Sequence, residues 1–150
     1  LYGLSKKLGE ICLSDNLTIR TSTIGHEVLT KNGLLEWFLS QEGTCEGYKN
    51  AIFSGVSTKE LASVIKNKIL PNKNLKGLYN LSAESISKYD LLKLISKFYK
   101  KEIEIQPNTS FVIDRSLDCT KLELEAGYKP KDWNSMVKSM MLSEMENKVV

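Results

Sequence analysis

Cysteine is scarce in this chain. Cys12, Cys45 and Cys119 are odd in number, widely spaced and form no CxxC pair. That argues against a disulfide scaffold and for a reducing, cytoplasmic compartment. A lone histidine, His26, with no cysteine near it argues against a structural zinc site, so no metal is expected. Nine glycines and three prolines are too few for collagen or low-complexity sequence. No apolar run approaches the ~20 residues that a membrane-spanning helix needs. Charge of one sign is lacking too: the net charge is only +3, with the lysines spread along the chain. Neither nucleic acid nor a membrane surface is therefore the expected partner. What remains is 150 residues with 41% hydrophobic content, enough to bury a core.

Periodicity and punctuation predict alternating helices and short strands, hence α/β packing. Residues 2–14 read as a helix, with Leu4, Leu8, Ile11 and Cys12 on one face. Leu17 to Ile24 reads as a strand closed by Gly25. Asn32-Gly33 marks a turn before a short helix carrying Leu34, Leu35, Trp37, Phe38 and Leu39, and Ala51-Ile52-Phe53 reads as a strand. Ser57 and Glu60 have capping-box spacing, with the Glu60 side chain expected to reach back. Their helix should stop at Pro71. Gly77 to Leu81 is the next strand, and Ser87 with Asp90 repeats the cap before a stripe of Ile86, Tyr89, Leu92, Ile95 and Phe98. Weaker strands are expected at Ile103–Ile105 and Ser110–Ile113. A short helix from Asp118 should end at Gly127. The last helix should start near Asp132.

Tyr2 and Lys6 stand four apart in the first predicted helix, on one face roughly opposite the leucine stripe. A free phenol has a pKa near ~10 and exchanges protons sluggishly at neutral pH. A nearby ammonium favours the phenolate, so such a tyrosine can hand a proton to a carbonyl oxygen. Spacing alone does not establish this role. Tyr89 and Lys93 share the same pattern, and there the tyrosine lies on an apolar stripe.

The surroundings discriminate between the pairs. Tyr2-Gly3-Leu4-Ser5-Lys6-Lys7-Leu8-Gly9-Glu10 resembles the Y-G-x-S-K-x-x-G-E stretch of extended short-chain dehydrogenase/reductases. Ile19-Arg20-Thr21-Ser22-Thr23-Ile24-Gly25 is similar to the strand that follows it in that family. Gly55 to Ala62, Gly77 to Ser82, Ser87 to Asp90, Asp114 to Leu122 and Gly127 to Trp133 resemble later segments, in the family's order. Within that family the segments resemble the sugar-nucleotide branch, and in it the dTDP-4-dehydrorhamnose reductase-like group. The resemblance covers essentially the whole chain.

That resemblance implies the carboxyl-terminal part of a Rossmann-type NAD(P)-binding fold plus a small α/β substrate-binding region, with an incomplete sheet. Residues 1–26 would be the remnant of the nucleotide-binding domain, and 27–150 mainly the substrate region with returning Rossmann elements. Tyr2 matches the catalytic proton donor. Lys6 matches the lysine that activates it and binds the nicotinamide ribose of NAD or NADP. Thr21, Ser22 and Thr23 fall beside the nicotinamide end. Arg115 would grip the diphosphate of a nucleotide-sugar substrate, its guanidinium offering a fork of donors. The group's R-P-x-x-S-x-L-D is here Ile113-Asp114-Arg115-Ser116-Leu117-Asp118, a departure that bears on the substrate. The glycine fingerprint that holds the pyrophosphate, and the catalytic Ser/Thr upstream of the tyrosine, are not found in these 150 residues. The expectation is a carboxyl-terminal half, inactive alone, whose partner is an amino-terminal Rossmann half in a parent that could be a homodimer.

Some readings stay open. Arg115 could instead pair with Asp114 or Asp118, and Arg20 could contact a phosphate or close a salt bridge. His26 could line the substrate pocket or stand exposed in a loop. Trp37-Phe38 could form an interface or simply pack. The same architecture also serves epimerases and dehydratases of nucleotide sugars, or a non-catalytic binding or oligomerisation remnant. The Leu4/Leu8/Ile11 side of the first helix is expected to be poorly covered.

Overall fold

The computed structural model describes residues 1–11, 15–27 and 29–147, less the side chains of Tyr2 and of residues 144–147. Its strands form small, mostly parallel pairings. β1 (Leu17–Arg20) runs parallel to β6 (Gly77–Asn80), with Arg20 opposite Asn80. β2 (Thr23–Ile24) runs parallel to β5 (Val56–Ser57), and β3 (Thr44–Tyr48) to β8 (Glu104–Asn108). β4 (Ala51–Phe53) is central to a three-stranded sheet, parallel to β9 (Ile113–Arg115) and antiparallel to β7 (Ile86–Ser87). Parallel neighbours cannot be joined by a tight turn, so helices fill the crossovers. These are α2 (Leu34–Ser40), α3 (Thr58–Val64), which runs on as a π-helical turn at Ile65–Ile69, and α4 (Lys88–Tyr99). The result is a mixed α/β fold without a closed sheet among the described residues. Residues 1–26 are tied to the rest by the β1–β6 and β2–β5 pairings.

Four boundaries differ from expectation. The first helix, α1 (Tyr2–Leu8), ends at Gly9 rather than continuing to residue 14. Glycine is a poor helix former, and Glu10 is drawn away into a two-pronged pairing with Arg20, both bonds 2.6 Å. Cys12 lies outside the described residues. The predicted strand 17–24 divides at Thr21-Ser22, where the chain changes partner. The Arg20 carbonyl accepts from Leu81 N–H, whereas the Ser22 carbonyl accepts from Val56 N–H, each at 2.9 Å. Late in the chain, β8 runs through Pro107, which an edge strand tolerates because one ladder side is unpaired. The neighbouring strand starts only at Ile113, not at Ser110.

The punctuation elsewhere matches. Ser57 Oγ accepts from Glu60 N–H at 3.1 Å, and Ser87 Oγ accepts from Asp90 N–H at 3.0 Å. The Glu60 carboxylate does not reach back, however. It pairs with Lys131 at 2.5 Å. α5 (Thr120–Ala126) ends on Gly127 at φ 59°, a left-handed cap that a side chain would strain. α6 (Trp133–Asn147) lays Met136, Val137 and Met140 against the core that Leu35, Phe38, Leu81, Leu91, Leu92, Ile95 and Leu122 complete. Trp133 donates its indole N–H to the Glu84 carbonyl at 2.7 Å. Among the described residues, no helix is long and apolar enough to cross a membrane.

Candidate functional site

The site begins where α1 ends. A helix with lysines in its last turn places them at the negative end of its dipole, and Lys6 there faces the segment that leaves β1. Lys6, Gly9 and Glu10 form one wall of a cleft of about 730 Å³. Thr18, Arg20, Thr21 and Ser22 form its floor, and Asp114 to Leu117, from the end of β9, close the far side. Lys6, Thr21, Ser22 and Arg115, distant in sequence, therefore meet at one place. The backbone of Tyr2 opens α1, while its side chain lies outside the described residues.

Electrostatics sort the charges around this cleft. Arg20 is held by Glu10, and the guanidinium keeps that carboxyl below its ordinary value. The salt-bridge reading of Arg20 is thus the one observed. Asp114 accepts from Ser116 N–H at 2.8 Å, and those serine bonds lower its pKa. Asp118 is likewise turned to its own chain, accepting from Thr120 N–H and Oγ1 at 2.8 and 2.6 Å. Arg115 accordingly has neither carboxylate as a partner. Among the described residues it makes no ion pair.

Two predicted residues lie apart. Thr23 is exposed on β2 and lines no part of the cleft. His26 is neither in the cleft nor loose in a loop. Half-buried, its Nδ1 lies 2.7 Å from Glu36 Oε1 and its Nε2 2.8 Å from Tyr99 Oη. It joins α2 to the end of α4. Of the Trp37-Phe38 pair, Phe38 is fully buried but Trp37 is not.

A second cavity, of about 300 Å³, adjoins the cleft through Ser22 and Arg115. Trp37, Tyr48, Phe53 and Phe111 give it aromatic walls, and Lys88 from the first turn of α4 enters it. Gly55 allows this close packing: a Cβ there would collide with the Phe53 ring and the Ser22 carbonyl. Sequence reasoning missed Lys88 and the aromatic wall. The only local signal was aromatic residues scattered over separate segments. No metal-binding cluster of His, Cys, Asp and Glu occurs among the described residues.

No family model matches the sequence, and no characterised relative matches it by sequence. Solved structures do match by fold. A dTDP-4-dehydrorhamnose reductase from Clostridium acetobutylicum aligns with a TM-score of 0.70 at 18% identity, covering 86% of this chain and 49% of its own. One from Bacillus anthracis, in complex with NADP, gives 0.68 at 16% identity, covering 86% and 48%. A UDP-N-acetylglucosamine 4-epimerase from Bacillus cereus gives 0.68 at 17% identity, covering 96% and 52%. The chain thus spans about half the length of the structures it matches. Its α/β fold is the one that these sugar-nucleotide enzymes share over that half.

Proposed function

We propose that this chain is the carboxyl-terminal half of an NAD(P)-dependent nucleotide-sugar oxidoreductase. It would reduce a 4-keto sugar nucleotide in surface-polysaccharide or deoxysugar synthesis, as its resemblance to the dTDP-4-dehydrorhamnose reductase-like group suggests. The observation that carries this reading is the meeting of Lys6, Thr21, Ser22 and Arg115 in one cleft. The donor set suits the nicotinamide end of the cofactor: one ammonium and two hydroxyls can bond a ribose and a carboxamide. Thr23, exposed outside the cleft, does not join them. When bound, NAD or NADP supplies hydride.

The chain's own residues then do the rest. Lys6 favours the phenolate of Tyr2 and so makes its phenol a better acid towards the sugar carbonyl oxygen. Thr21 and Ser22 orient the ring. Arg115, without a carboxylate partner, binds substrate phosphate. The pyrophosphate site of the cofactor would come from an amino-terminal half packed on α1 and the residues after it, where Leu4, Leu8 and Ile11 are exposed.

A second reading, epimerase or dehydratase, is supported by the equal likeness to the Bacillus cereus epimerase. The test uses the enzyme expressed from its whole reading frame. The reductase reading expects stoichiometric NAD(P)H consumption with a 4-keto sugar nucleotide, and a loss of ~10²–10⁴ in kcat for Tyr2→Phe. Turnover without net consumption favours the epimerase or dehydratase. Unchanged turnover in Tyr2→Phe refutes the catalytic assignment of Tyr2.

A further inference from the structure

Lys88 is placed where a lysine is hard to keep charged. It occupies the first turn of α4, where the helix dipole opposes a cation. It is partly buried, with its Nζ 4.1 Å from the centroid of the Phe53 ring. Arg115, another cation, lines the same cavity. Burial first, and the Arg115 charge second, hold the Lys88 ammonium below its ordinary pKa. Among the described residues it forms no ion pair or hydrogen bond. Glu46 shares the cavity wall, but its carboxylate accepts from Asn108 at 3.1 Å and forms no ion pair with Lys88 or Arg115. Two cations without an ion-pair partner thus face one pocket, Lys88 offset only by the face of the Phe53 ring. An anion between them offsets burial, dipole and mutual repulsion together.

The pocket also fits what such an anion would be attached to. Tyr48 and Phe111 form a tilted ring pair, 5.4 Å between centroids, and both are partly open to solvent. Trp37 stands on the same cavity, 38% exposed. Aromatic faces of this kind stack on a planar base. A nucleoside diphosphate esterified to a sugar carries two negative charges on its bridge, which matches two cations. Arg115 also lines the neighbouring cleft, so a ligand held there can extend its sugar towards Lys6.

We propose that Lys88 is a second substrate-binding cation, which with Arg115 holds the diphosphate of a nucleoside-diphosphate sugar while the aromatic wall takes the base. This deepens, and rests on, the nucleotide-sugar reading above. The test is calorimetric titration of the enzyme expressed from its whole reading frame with dTDP, UDP, thymidine, uridine and inorganic pyrophosphate. Lys88→Met should weaken dTDP or UDP by ~10- to 100-fold and leave the nucleosides unmoved, and Lys88→Arg should restore most of the loss. Equal diphosphate affinity in Lys88→Met and wild type overturns the role of Lys88 while the nucleotide reading stands. Pyrophosphate bound as tightly as dTDP and UDP, and dependent on Lys88, supports the cation pair and overturns the nucleotide. Failure of the wild-type enzyme to bind any of these probes overturns both.

Discussion

Helices α1 and α4 carry similar apolar stripes and have opposite fates. In α4, Leu91, Leu92 and Ile95 are 0%, 2% and 0% exposed, packed among α6, β3 and β8. On α1 and just beyond it, Leu4, Leu8 and Ile11 are 60%, 79% and 55% exposed. A stripe tells which face a helix would bury. It does not tell whether anything lies there to bury it. The contrast separates two tasks within one chain: α4 to α6 hold the fold together, while α1 carries Lys6 to the cleft on a thinly covered support.

The comparison breaks if removing apolar bulk from α4 is harmless. Leu92→Ala should lower the unfolding free energy by ~2–5 kcal/mol, because a well-packed core closes a cavity only in part. Chemical denaturation of both proteins gives the difference directly. A smaller effect is expected from Lys131→Met, at ~1–3 kcal/mol. Exposed ion pairs contribute little, but the Glu60 side chain is only 6% exposed and would lose its partner. Glu60→Gln in the same background should recover part of that stability. If it recovers none, the loss comes from something other than the stranded carboxylate.

A pH scan sharpens the same contrast. The Tyr128 phenol donates to the Ser82 carbonyl at 3.0 Å and is buried. Burial first, and then the charge of Glu60, hold its pKa above the ordinary 10.0. Its contribution is therefore complete below that value. Above it the unfolded chain ionises while the folded one does not, so stability falls as pH rises, by at most ~1.4 kcal/mol per unit. Tyr128→Phe should flatten this slope, and thermal melts between neutral pH and pH 11 would reveal it. The smallest effect belongs to α1. Leu4→Ser and Leu8→Ser should each change the stability of this chain by less than ~0.5 kcal/mol. A loss comparable to that of Leu92→Ala would mean that the α1 stripe is covered after all.

Local signals were legible in the sequence wherever one short segment determines the outcome. Ser57 and Ser87 begin helices and Gly127 ends one, through bonds or backbone angles that their own neighbours complete. Features set by distant partners were not legible. The break at Thr21-Ser22 depends on Val56 and Leu81, and the place of His26 depends on Glu36 and Tyr99. The role of Glu60 was misread for the same reason, since its partner Lys131 lies far along the chain. That Lys6, Thr21, Ser22 and Arg115 line one cleft was anticipated only through family resemblance, which carries three-dimensional information that spacing lacks. Lys88 escaped notice because a lysine beside an apolar stripe ordinarily marks a solvated face.

The cleft also has a history in time. Its walls come from opposite ends of the chain, Lys6 near the start and Arg115 on β9, and parallel pairings of strands far apart in sequence carry them. Closing such long loops is slow relative to forming helices and local turns. A nascent chain therefore builds its helices before it has a cleft, and the cleft is among the last features to be completed.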